Sequence, residues 1–445
     1  MIRAGSSPPA EPLPFPAMER SLRAVLAGTF TLRFSTGLTG AMYSLYLADL
    51  ASRGGSTIGP EVVGLFAALF FVTELLLSPV FGILSDRLGH HRVMLYGPIF
   101  GGVAAILTGL TANLPILGVT RLLEGASTAA SVPSILGFIA LATAGNEVLR
   151  GKAAARFEGA TLAGLGVGFI VAPKLFEAIH EQAFFLNAGI YGISFLIYWL
   201  GVTDPKGERE AVAATHVGFD RYFQLIRSAH VLLLAPTWIA VNASIGLWFS
   251  QSLFQFSKAN PKFPEQVLMR GYDATQITVA AILIAIVFGL GLLYWGNRFK
   301  DMRRTTIILY GILGGGVLVA GGLILNHAAA GILAVPIAAA ILAGGGLFVL
   351  AGATPAALGL LADISERFPA DRGAIMGLYS VFLGIGQISG SLIGGFAAAW
   401  HGIDGMLLAT LGLLAVALLP LARLRGQEHE IGGPGSPAVI GEVDG

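Results

Sequence analysis

Twelve long apolar runs, separated by short polar connections, constrain this chain more than any other feature. They cover roughly residues 22–48, 61–84, 92–112, 114–143, 156–179, 183–203, 231–256, 274–296, 305–326, 330–361, 372–400 and 403–422. A helix needs about 20 mainly apolar residues to cross the hydrocarbon of a bilayer, so each run predicts one crossing. The fourth, tenth and eleventh runs are long enough to tilt or to extend past it. Inside hydrocarbon every backbone group must bond internally, which leaves the helix as the natural spanning element. Composition agrees: 55% of residues are hydrophobic and 12% charged, against about 25% charged in soluble proteins. The 61 glycines, costly in a water-exposed helix, permit close helix contact in a membrane. The expected class is an all-α polytopic membrane protein.

Several function classes fall away. There is no cysteine, which excludes disulfides, thiolate metal sites and thiol nucleophiles. A net charge of +1 does not suggest a nucleic-acid partner. No HExxH motif and no phosphate-binding loop occur, and Ser, His and Asp residues lack a recognisable nucleophile setting. The reading is therefore of a non-enzyme with no cofactor or metal.

Charge placement sets the topology. With both termini in the cytoplasm, the inner connections hold twenty of the 27 Lys and Arg residues, and the outer loops hold Arg53, Lys258, Lys262 and Arg270. That bias follows the positive-inside rule. The longest inner connection divides six spans from six. The expected organisation is a disordered cytoplasmic tail (1–20), a six-helix bundle (21–203), a cytoplasmic linker (204–230), a second six-helix bundle (231–423) and a second disordered tail (424–445). The proline-rich start lacks the apolar core of a signal peptide.

A short charged turn, Gly82-Ile83-Leu84-Ser85-Asp86-Arg87-Leu88-Gly89-His90-His91-Arg92, joins the second and third runs. Its pattern, G-x-L-x-D-R-x-G-x-x-R, resembles the signature loop of the major facilitator superfamily of secondary transporters. Gly82, Leu84, Asp86, Arg87, Gly89 and Arg92 match, while His90 and His91 replace a usual basic pair. A degenerate second copy, Asn297 to Arg303 with Arg298 and Asp301, lies between the eighth and ninth runs. Two halves with corresponding loops describe a duplicated transporter fold. The expected role of Gly82, Asp86, Arg87, Gly89, Arg92, Arg298 and Asp301 is a conformational latch. The connection after the tenth run, Asp363 to Arg367, reads as a gate latch or solvated loop.

A charge at bilayer depth costs about 2.5–3.5 kcal/mol, so ionisable residues within spans are informative. Arg33 lies about 16 Å and Glu74 about 18 Å from the inner side at 1.5 Å per residue. These depths allow a pair, either working as a proton-linked switch or fixed as an interhelical salt bridge. Arg121 and Glu124, three residues apart, share a helix face. Arg121-x-x-Glu124-Gly125-x-Ser127-x-Ala129-Ala130 is similar to the superfamily's fourth-span motif, whose arginine is implicated in proton transfer in proton-coupled members. Ser127 stands where a glycine is usual. The alternative is a mutually neutralising pair. In the fifth run Gly159, Gly168 and Pro173 fit part of the superfamily's antiporter motif, whereas Ala172, Phe176 and Glu177 depart from it. In the second half Asn242, Trp248, Gln251 and Gln387 are candidates to line a cavity or to bond neighbouring helices.

The resemblance implies twelve transmembrane helices in two pseudo-symmetric halves, the major facilitator fold, with the first, fourth, seventh and tenth spans lining a central cavity. It also implies a monomer in the cell membrane, working by alternating access on a small-molecule substrate. The reading is proton-coupled export of an amphipathic or apolar compound, with Arg33, Glu74, Arg121 and Glu124 as proton-coupling or substrate-binding residues. Uptake of an organic anion or metabolite, export of a lipid or lipid-linked sugar, and a membrane receptor or enzyme stand as alternatives.

Overall fold

Each apolar run becomes helix, and the polar residues between runs supply the stops. The computed structural model describes residues 15–143, 146–203, 229–298, 301–328, 333–366 and 372–426. The helices are α1 (Phe15–Ala48), α2 (Pro60–Leu88), α3 (His90–Met94), α4 (Tyr96–Leu110), α5 (Leu114–Ala142), α6 (Glu147–Ile179), α7 (Gln182–Gly201), α8 (Ala229–Ser257), α9 (Ala274–Asn297), α10 (Arg304–Asn326), α11 (Ala334–Leu350), α12 (Ala353–Glu366) and α13 (Arg372–Gly426). Among the described residues there is no β-strand. Asn113 caps α5 by accepting from Ile116 N, and Asn146 caps α6 by accepting from Leu149 N; each satisfies one of the donors that a helix start leaves free.

Ten helical segments are long and apolar enough to cross a membrane. The last of these is bent within α13 at His401 and Gly402, where the backbone leaves helical geometry, so it makes two crossings. Adding α1 brings the described helices to twelve crossings. Helix α1 is the most polar of them, and three of its threonine hydroxyls are satisfied locally. Thr29, Thr36 and Thr39 donate to the carbonyls of Val25, Leu32 and Ser35, one turn back, at 2.7, 3.0 and 3.0 Å.

Several boundaries differ from the sequence expectation. Helix α2 continues to Leu88, so Gly82, Asp86 and Arg87 lie in its last turns, and the connection shrinks to Gly89. Gly89 has φ +99°, a conformation that a side chain would strain. The third run breaks at Leu95 into α3 and α4, and the tenth breaks at Ala351–Gly352 into α11 and α12. Residues 15–20, expected in the disordered tail, open α1, and 424–426 close α13. The rest of both expected tails and residues 204–228 of the linker lie outside the described residues, as does Arg367.

The chain divides into two compact units. The first comprises Met1–His216 with Asp273–Ala281, the second Val217–Tyr272 with Ile282–Gly445. In the first, α1 packs along α6 and α7, and α5 packs along α2 and α4. The α1–α6 approach is close because Gly164 and Gly168 face α1. A Cβ on Gly168 would meet Phe34 O at 2.2 Å, and one on Gly164 would meet Phe30 O at 2.6 Å. In the second unit α8 packs along α13, where Gly386, Gly390 and Gly394 recur every fourth residue against Ile239, Ala243 and Leu247. Small residues at that spacing let backbones approach.

Candidate functional site

The ionisable groups of the first unit are organised by α5. Arg121, Glu124 and Thr128, at i, i+3 and i+7, fall on one stripe of that helix. Arg121 and Glu124 form an ion pair, and both are buried, at 7% and 2% exposure. The guanidinium also lies over two aromatic rings, Tyr43 of α1 at 4.7 Å and Phe70 of α2 at 5.2 Å. Both distances are within cation–π range. Tyr43 is held by donating its hydroxyl to Leu117 O at 2.9 Å. One carboxylate oxygen of Glu124, Oε1, and Nε of Arg121 are buried without a hydrogen-bond partner.

Gly125, next in the motif, explains how α2 comes so near. A Cβ there would meet Phe70 O at 2.3 Å and Thr73 Cβ at 2.8 Å, so glycine brings the α2 backbone, Glu74 included, against α5. Ser127, which stands in place of the motif's usual glycine, donates to Gly97 O on α4 at 2.6 Å.

Arg33 is buried at 8% exposure, but it forms no ion pair with Glu74. Its Nη1 donates to Thr128 Oγ1 at 3.4 Å. The guanidinium acts on Glu74 of α2 and on Glu158 of α6 through its field alone. Glu74 is half-buried and has no ion-pair partner among the described residues of the first unit. Arg33 is therefore bonded to a hydroxyl and to neither of these carboxyl groups.

The fifth-span residues divide. Gly168 is a close-approach site and Pro173 is buried within α6, whereas Gly159 has no atom near the position of a Cβ. Gly164, one turn before Gly168, makes the second close contact. In the connection after α2, His90 is buried and its Nδ1 lies 3.1 Å from Ser85 Oγ, with Nε2 3.9 Å from Asp86 Oδ1. His91 Nε2 lies 3.0 Å from Tyr198 O of α7. The two histidines thus dock the connection onto its own bundle, and Arg87 and Arg92 are exposed.

In the second unit Arg298 lies over Tyr294 at 5.1 Å, and Asp301 is an exposed turn residue whose N–H donates to Arg298 O. The strong ion pair at this end is instead Arg304 with Asp363, at 2.7 and 3.3 Å. Asn242 donates to Trp238 O at 2.9 Å, Trp248 Nε1 to Thr410 Oγ1 at 2.9 Å, and Gln251 accepts from Gln255 at 3.3 Å. Gln387 packs against Gly246. These are bonds within the second unit, from side chains expected either to line a cavity or to bond neighbouring helices.

Sequence reasoning missed Tyr43, Phe70, Thr128, Glu158 and the Arg304–Asp363 pair. An aromatic residue in an apolar run carries no mark of what it touches. Glu158 stands at the inner edge of the apolar run 156–179 and so gives no signal in the sequence; α6 begins earlier, at Glu147, which places it about 16 Å into the helix at 1.5 Å per residue.

Comparison with known proteins agrees with this architecture. A profile of the Major Facilitator Superfamily matches residues 25–349. The chain belongs to the Major Facilitator Superfamily. It is similar to Multidrug resistance protein 1 of Bacillus subtilis, 26% identical over 340 residues that cover 75% of this chain and 79% of that one. It is also similar to Quinolone resistance protein NorA of Staphylococcus aureus, 23% identical over 301 residues, covering 66% and 71%. Among solved structures, the nucleoside transporter NupG matches with a TM-score of 0.68 at 13% identity, over 92% of this chain and 98% of that one. A peptide transporter, POT, in complex with sulfate matches with a TM-score of 0.65 at 14% identity, over 92% and 94%. These structural likenesses bear on the fold. This Major Facilitator Superfamily chain is accordingly a multi-pass membrane transporter.

Proposed function

We propose that this transporter exports an amphipathic or apolar organic compound in exchange for protons, by alternating access. The observation that carries the reading is the buried Glu124, paired to Arg121 through one oxygen and bare at the other. A carboxyl group at bilayer depth is costly to keep charged, and Oε1 of Glu124, without a hydrogen-bond partner, offers a lone pair to a proton. Protonation of Glu124 or Glu74 changes the charge balance around Arg121 and Arg33, and that change is the switch. The resistance named for the two similar proteins supports export of organic compounds. The excess of Lys and Arg in the connections assigned to the cytoplasm supports a cell-membrane location with both termini inside, and the working unit is a monomer. The connection at Asp86, Arg87 and Gly89 acts as a latch, with no substrate contact.

A second reading draws on Arg33, whose guanidinium bonds Thr128 and, among the described residues, no carboxylate. A cation so placed suits an organic anion, and uptake would follow. Reconstitution in proteoliposomes decides between them, with a panel of a fluorescent quinolone, lipophilic cations and organic anions, each read with and without an imposed proton gradient. Export needs the quinolone or the cations to move against the proton flux. Anions that move with the protons, and no movement of the other compounds, would establish the second reading.

A further inference from the structure

We propose that Tyr43 and Phe70 are positioning residues for Arg121, holding its guanidinium in place while Glu124 takes up a proton. The proposal rests on the proton-coupled reading above. Among the described residues Arg121 has one ion-pair partner, Glu124, on its own helix. When that carboxylate becomes neutral the Coulomb attraction disappears, yet the guanidinium stays charged at any pH the protein meets. Something must then hold the cation, or the proton cannot be accepted.

The two rings meet that need. They come from different helices, α1 and α2, and the guanidinium lies over both, at 4.7 and 5.2 Å. The negative face of each ring attracts the cation and repels the carboxylate paired to it, so the net hold of the rings on Arg121 grows when Glu124 becomes neutral. Both rings are braced. Tyr43 donates to Leu117 O and meets the edge of Phe66 at 6.0 Å, and Phe70 meets Phe71 edge-on at 5.0 Å. Gly125 makes the space for Phe70 by letting α2 approach. Titratable neighbours are few. Tyr43 on α1 and Tyr191 on α7 feel both Glu124 and Arg121, α2 brings the Glu74 backbone against Gly125, and α4 presents Gly97 to Ser127. Two rings serving merely as packing would not need to share one guanidinium.

The test replaces Phe70 with mono-, di- and trifluorinated phenylalanine, which keeps the ring's shape and weakens its negative face in steps. The full chain in liposomes is titrated by infrared spectroscopy of the protonated Glu124 carboxyl, with the band assigned by its loss in Glu124→Gln. The expected result is a stepwise move of the midpoint to more acidic pH, reaching about one pH unit for the trifluorinated ring. Tyr43→Leu moves it the same way, while Tyr43→Phe, which keeps a ring, leaves it near the wild-type value. A midpoint indifferent to fluorination overturns the proposal, and so does a Glu124 band that never titrates while the protein stays folded. If transport ignores the proton gradient but the midpoint still shifts, the coupling reading alone fails. Gradient-driven transport with an unmoved midpoint overturns the positioning role alone.

Discussion

In the first unit Arg33, Glu74, Arg121 and Glu124 sit within helices, whereas among the described residues the second unit has its ion pairs at helix ends and puts uncharged groups such as Asn242, Trp248 and Gln251 in its spans. Arg304 opens α10 and pairs with Asp363 near the end of α12; His327 caps the other end of α10 and meets Asp404 at 2.7 Å. Around Asp404 the bonds are structural. Asn326 donates to it at 2.8 Å, and Gln266 accepts from Ile403 N at 2.9 Å while donating to His401 O at 3.0 Å. These groups fasten the 258–273 connection to the C-terminal end of α10 and to the bend in α13. A mid-span charge costs about 2.5–3.5 kcal/mol, and a charge at a helix end costs far less. The difference teaches that the second unit uses charge as a fastener, while the first keeps charges in a place where holding them is expensive.

The comparison breaks most directly at its two ion pairs. Arg121→Ala leaves Glu124 buried without a counter-charge and is expected to destabilise the protein by about 3–5 kcal/mol, with part of the loss recovered on adding Glu124→Gln. Arg304→Ala, at a partly exposed pair, is expected to cost about 1 kcal/mol. Thermal unfolding in detergent reads both, and equal losses would erase the distinction between the units.

Helix contact supplies a smaller effect. Gly168→Leu drives a side chain into Phe34 O of α1, where backbone cannot yield, at about 1–3 kcal/mol. Gly159→Leu, nine residues earlier on the same helix, meets open space and is expected to change stability little. The smallest change in stability is expected at the connections. Asp86→Asn slows transport while sparing substrate affinity, and Asp301→Asn, in an exposed turn, leaves transport near the wild-type rate. A large loss of affinity in Asp86→Asn with normal turnover would remove the latch assignment.

The sequence made the architecture legible because hydrophobic length and loop charge are local properties. The Arg121–Glu124 pair was legible for the same reason, since three-residue spacing fixes a common face on one helix. Arg33 and Glu74 show where such reasoning stops. Depth along two helices gives their height but leaves the rotation of each helix free, and rotation turned Arg33 toward Thr128. The connection after α2 was read as a loop because its residues are charged, yet helix geometry persists to Leu88 and Asp86 and Arg87 ride on the last turn. Phe70 lies over the guanidinium because Gly125 lets α2 approach α5, and Tyr43 lies over it from α1, tied to α5 through Leu117 O; neither placement is written in a local pattern.

The central claim is that the mid-helix carboxylates of the first unit couple substrate movement to protons. The most direct measurement compares wild type with the Glu74→Gln/Glu124→Gln double variant in proteoliposomes, reading substrate binding and flux under an imposed proton gradient. The account expects the double variant to bind substrate as wild type does and to lose the acceleration by the gradient. A double variant that moves substrate with the full wild-type response to the gradient would contradict it.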